Sequence, residues 1–126
     1  MVAKSSRRFS VTSVSYMHYA LYVTHARYGA VIYEYAAPPG SGKGKSSARV
    51  RKLRYSTWRK EYLGESVGDL IIVTSEEMGR RFPRRTVIKR AESRRGERDY
   101  SLFTNNCEHF VNWCLTGSNH SSQSPF

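Results

Sequence analysis

Two runs dominated by aromatic and β-branched residues, Tyr16 to Val23 and Ala30 to Tyr35, constrain this chain more than any other feature. Neither carries a stripe at helical spacing, so both read as strands, joined around Arg27-Tyr28-Gly29 into a hairpin. Order is expected to begin near Phe9, after a polar, basic leader over residues 1–8. Ala36 to Ser47 holds two Pro, three Gly and three Ser, the chemistry of a loop. Arg49 to Tyr55 alternates weakly and suits a basic, exposed strand, followed by an irregular stretch to Gly68. Leu70 to Thr74 is a short apolar run between turn residues, which reads as a buried strand.

The second half of the chain changes period. Pro83 suits a helix start, and Val87, Ile88 and Ala91 give an apolar stripe to a basic helix that stops at Gly96. Asn105 to Leu115 is expected to form another helix, with Phe110, Val111, Cys114 and Leu115 at core spacing and Gly117 as terminator. The expected fold class is therefore α+β: a small antiparallel sheet packed against this last helix and the basic one. At 126 residues, 39% apolar and 13% aromatic, the chain supports one domain, placed at residues 9–117, with a flexible tail at 118–126.

Composition narrows the chemistry. The longest aliphatic run, Leu70-Ile71-Ile72-Val73, is too short to span a bilayer, and no apolar stretch follows the basic N-terminal residues, so a soluble, non-secreted protein is expected. Cys107 and Cys114 lie seven apart, about two helical turns, beyond disulfide reach, which suits a reducing compartment. Without a CxxC pair or a His/Cys cluster at ligand spacing, neither metal nor cofactor is expected. Of 21 basic residues in a chain of net charge +11, 17 fall in residues 43–60 and 80–98. Lys43, Lys45, Arg49, Arg51, Lys52, Arg54, Arg84, Arg85, Lys89, Arg90, Arg94 and Arg95 are the candidate polyanion-binding residues, for RNA phosphates or anionic lipid head groups. The plainer alternative is a solvated, solubilising surface.

Cys107 is the chemical candidate. Asn105 is a good N-cap and Glu108, three residues later, completes a capping-box-like pattern, which puts Cys107 in the first helical turn. There the helix dipole and unpaired N–H groups favour thiolate, which could attack an ester or thioester carbonyl while nearby N–H groups hold the oxyanion. Among four histidines, His109 follows Cys107 by two and faces elsewhere, His25 lies in a turn and His120 in the tail. His18 remains as the candidate base, mid-strand and opposite in face to Met17, Tyr19, Leu21 and Val23.

Read together, the motifs resemble a known family. Tyr100-Ser101-Leu102 followed by Asn105-Asn106-Cys107-Glu108-His109-Phe110-Val111-Asn112 is similar to the NC box of the lecithin retinol acyltransferase-like proteins, and His18-Tyr19-Ala20-Leu21-Tyr22-Val23 to their H-box. Val87 to Glu92 with Gly96 resembles the helix before the NC box, and Ala37-Pro38-Pro39 the segment after the second strand. The resemblance covers roughly residues 16–39 and 86–117 and implies a permuted papain-like architecture. It also implies a cysteine nucleophile, matched by Cys107, and a histidine base, matched by His18. The family's second histidine, expected after Val31-Ile32, is absent, and Tyr33-Glu34-Tyr35 stands there instead; Glu34 could orient His18 as a carboxylate, or Tyr33 could hydrogen-bond it.

Two further departures bear on function. The Gly-Asp-Leu-Ile run that precedes the H-box in cellular members stands after it here, at Gly68-Asp69-Leu70-Ile71, which implies a rearranged sheet. Their C-terminal membrane-anchoring helix has no counterpart after Gly117, so bilayer contact would fall to the basic stretches. Small size, charge and a degenerate third position resemble the H-box/NC type of picornavirus 2A protein. The expected function is that of such a non-protease, supporting viral replication in the host cell cytoplasm and at replication membranes by binding host or viral replication proteins, RNA or anionic membrane. The alternatives are an active cysteine-dependent phospholipase/acyltransferase using Cys107 and His18, and a basic RNA-binding module.

Overall fold

In a computed structural model the chain is described at residues 2–8, 15–25, 27, 29–37, 47–62, 71–73, 82–101 and 104–119. Five strands and three helices follow in the order β1 (Val2–Arg8), β2 (Ser15–His25), β3 (Gly29–Ala36), β4 (Arg49–Arg54), α1 (Tyr55–Tyr62), β5 (Ile71–Val73), α2 (Arg84–Ser93) and α3 (Cys107–Thr116). The class is α+β, with one antiparallel sheet ordered β4-β3-β2-β1-β5. The hairpin read from the sequence is β2–β3, closed by Gly29 at φ 73°, and pairs Ala20 with Glu34 through to His25 with Gly29.

The expected flexible leader is instead β1, which pairs along β2 from Val2↔Leu21 to Arg8↔Ser15. Its residues lack an apolar alternation, so nothing in the side chains announces a strand; the pairing is made by backbone groups with the edge of β2 opposite β3. β5 joins the far edge of β1, which places the displaced Ile71-Ile72 run in the sheet by a different route. The expected start of order at Phe9, the loop residues 38–46 and the tail from 120 onward lie outside the described residues.

The stretch after β4, expected to be irregular, begins as α1. Among the described side chains of this helix Trp58 is the fully buried one, so its apolar stripe is too thin to reveal a helical period. The sheet is packed on both faces. Tyr19, Leu21, Val23, Val31, Tyr33 and Tyr35 meet Val87 and Ala91 of α2 and Phe110, Val111, Cys114 and Leu115 of α3. On the opposite face Ala20 and Ile32 meet Trp58, flanked by Tyr22, Leu53 and Tyr55. The turn after α2 returns to β4, where Gly96 donates to the Val50 carbonyl at 2.8 Å and Val50 donates to that of Glu97 at 3.0 Å. Among the described residues no helix is long and apolar enough to cross a membrane.

Candidate active site

α3 begins one residue later than the capping pattern implied. Asn106, not Asn105, is the N-cap: its Oδ1 accepts from Glu108 N at 2.9 Å and His109 N at 3.0 Å, while His109 Nδ1 accepts from Asn106 N at 3.0 Å. The box is thus closed by His109 in place of Glu108, which gives His109 the structural role its position implied. Asn105 is drawn away from the helix, donating to Glu97 Oε2 and the Asp99 carbonyl and accepting from Arg94. Cys107 is consequently the first helical residue, with no exposed surface. The N–H groups of Glu108 and His109 serve the cap, so neither takes the oxyanion role proposed for this turn.

The β2–β3 ladder ends at Ala20↔Glu34, and the next N–H along β2, that of Tyr19, points to Cys107 Sγ at 3.5 Å. This brings the sulfur beside His18, whose ring bridges Cys107 and Glu34: His18 Nε2 lies 2.7 Å from Glu34 Oε1. Burial works to lower the His18 pKa, but hydrogen bonds to Cys107 and Glu34 and the charges of both raise it from 6.5 to about 9. Burial likewise works to raise that of Glu34, yet the bond and charge of His18, then Arg51 and Trp58, hold it at about 2. An imidazolium held between a carboxylate and a sulfur at a helix N-terminus is the arrangement that keeps cysteine nucleophilic and presents a proton donor beside it.

The lecithin retinol acyltransferase family model matches residues 3–120. The chain belongs to this family. Human phospholipase A and acyltransferase 2 is 31% identical over 117 residues, spanning 90% of this chain and 70% of that protein. No solved structure matches the chain. In this family member the partner of His18, sought after Val31-Ile32, is Glu34.

Tyr33 takes no part. Neighbours on a strand face opposite ways, and Glu34 shares the His18 face while Tyr33 turns to the α2–α3 side, where its hydroxyl donates to Glu92 and burial pushes its pKa up. Two residues of this site were not assigned to it from the sequence, Trp58 having no role there and Arg51 standing among the candidate polyanion-binding residues. Trp58 donates its indole N–H to Glu34 Oε1 at 2.9 Å, and Arg51 Nε lies 2.9 Å from Glu34 Oε2. A lone Trp in the polar stretch after β4 was the available signal for the first; Arg51 was hidden among the basic residues around it.

The basic residues divide by what they touch. Arg51 belongs to the site and also pairs with Glu61. Arg90 donates to the Cys114 carbonyl and stacks 4.1 Å over Phe82, and Arg94 pairs with Glu97 and covers Trp113, Phe110 and Tyr35. The charges of these three are engaged within the fold. Lys52 and Arg95 share Glu92, and Arg84 donates to the Thr24 carbonyl. Arg49 is half-buried, whereas Arg54, Arg85 and Lys89 are exposed with no ion pair among the described residues; Lys43 and Lys45 lie outside them. Both cysteines are free thiols, and burial pushes that of Cys114 up to about 12, away from nucleophilic use.

Proposed function

We propose that this chain is a cysteine-dependent acyl-transfer protein that cleaves ester-linked acyl groups of phospholipid, with Cys107 as nucleophile, His18 as acid and base, and Glu34 orienting His18. The observation that carries this reading is the continuous contact Glu34–His18–Cys107, closed by 2.7 Å at the carboxylate end and by the Tyr19 N–H at the sulfur. The Cys107 thiolate attacks the ester carbonyl, the ester C–O bond breaks, and the His18 imidazolium gives its proton to the departing oxygen. The neutral imidazole then takes a proton from water or an acceptor hydroxyl, whose oxygen attacks the thioester and releases Cys107. The similarity to a human phospholipase A and acyltransferase supports the choice of substrate class.

A second reading is favoured by one observation: Cys107 is 0% and His18 2% exposed, a closed site. In it the chain acts as a picornavirus 2A-like protein in the host cytoplasm, its thiol site silent. Host or viral replication proteins, RNA or anionic membrane would then be met through exposed residues such as Arg54, Arg85 and Lys89. One experiment separates the two. The chain is incubated with mixed phosphatidylcholine and phosphatidylserine vesicles and its intact mass measured. An acyl adduct on Cys107 is expected, abolished in Cys107→Ser and slowed about 10²- to 10⁴-fold in His18→Asn. An unmodified wild-type protein sinks the enzymatic reading.

A further inference from the structure

Glu34 is entirely buried and meets groups from three elements: it is hydrogen-bonded to His18 on β2 and Trp58 on α1 and ion-paired with Arg51 on β4. Its two oxygens are divided between them. Oε1 takes His18 and Trp58, and Oε2 faces Arg51 Nε. The Arg51 side chain is only 10% exposed, so its charge is weakly screened, and its far end is paired with Glu61 of α1, whose side chain is 33% exposed. Among the described residues the charged and titratable groups around the carboxylate are thus His18, Arg51, Glu61 and, through the His18 ring, Cys107.

Two cations therefore compete for one carboxylate. A lone Glu34 would draw a proton strongly onto His18 and hold it there; Arg51 takes up part of that negative charge, and Glu61 in turn takes up part of the charge on Arg51. We propose that Arg51 is a positioning residue that fixes Glu34 and, by competing with His18 for it, sets how readily His18 gives up its proton, with Glu61 as a counterweight on the surface. The proposal deepens the acyl-transfer reading and rests on it for its consequence, although the electrostatics are measurable without turnover.

The alternation of β4 makes the arrangement possible. Val50 is buried beside the turn after α2, so Arg51 turns to the opposite face of the sheet, where α1 covers it and Trp58 excludes water from Glu34. An unassisted buried carboxylate facing one histidine would be a rigid ion pair. Sharing it makes the histidine a usable acid as well as a base.

The test uses opposite signs. The His18 ring is followed by NMR across pH in the full chain, in Arg51→Gln, in Arg51→Lys and in Glu61→Gln. Arg51→Gln removes the competitor and raises the His18 titration point by about one unit. Glu61→Gln frees the full charge of Arg51 toward Glu34 and lowers it, and Arg51→Lys, which keeps the charge, returns it toward the parent value. Should Arg51→Gln fail to fold, Glu61→Gln and Arg51→Lys carry the sign by themselves. Titration unmoved in Glu61→Gln, or moved upward there, overturns the proposal. The alkaline limb of acylation follows the same shifts in an active protein. Shifts of these signs in a chain that forms no acyl-enzyme leave the electrostatic coupling standing and remove only the acyl-transfer reading.

Discussion

Asn106 and His109 hold the first turn of α3 closed, and everything the sulfur does depends on that turn. Two N–H groups of a buried helix end are satisfied by one Asn oxygen, so Asn106→Ala leaves both without it. The loss expected in urea denaturation is about 1–2 kcal/mol. His109→Gln keeps an acceptor at the third helical position and is expected to stay within about 1 kcal/mol of the parent. A large loss in His109→Gln with none in Asn106→Ala would reverse the assignment of the cap. The sequence contains both Asn105 and Asn106 before Cys107, and local capping rules favour either. What selects Asn106 is remote: Arg94, Glu97 and the Asp99 carbonyl occupy Asn105.

At the scale of elements, α1 turns a two-layer arrangement into a sheet covered on both faces. Trp58 is its anchor, 2% exposed, stacked on Tyr55 at 6.0 Å and bonded to Glu34. Trp58→Ala is expected to cost about 3–5 kcal/mol, because it empties a large buried volume and uncovers a carboxylate. Trp58→Phe fills most of that volume and is expected to lose the smaller part of this, about 1 kcal/mol, for the missing N–H. Equal losses in the two variants, measured by chemical denaturation, would mean that the indole N–H and not the packing holds α1. The contrast between α1 and α3 explains which helix was legible. α3 buries eight of its ten residues and ends at Gly117 with φ 78°, whereas among the described side chains of α1 one, Trp58, is deeply buried.

For the whole molecule the buried pair sets the response to pH. His18 titrates higher in the fold than its ordinary 6.5, so its contribution is complete below 6.5 and is lost as pH rises through about 9. Glu34 titrates lower than its ordinary 4.5, so its contribution is complete above 4.5 and is lost as pH falls through about 2. Thermal melts are expected to plateau between pH 4.5 and 6.5 and to decline toward 9, with the alkaline decline removed in His18→Asn. A melting temperature constant from pH 6 to 10 in the parent chain would contradict this. The sequence by itself determined the β2–β3 hairpin, α2 and α3, because β-branched and aromatic composition and helical period are short-range patterns, and through the NC and H-box motifs it named Cys107 and His18 as candidates. The tertiary structure alone decided that Glu34 and not Tyr33 meets His18, that Arg51 serves the site, and that Val2–Arg8 is a strand. Each of these follows from register. Ala20 opposite Glu34 puts Glu34 on the face His18 shares, and the second edge of β2 supplies a backbone partner to a polar segment, neither of which is encoded within reach of the residues it affects.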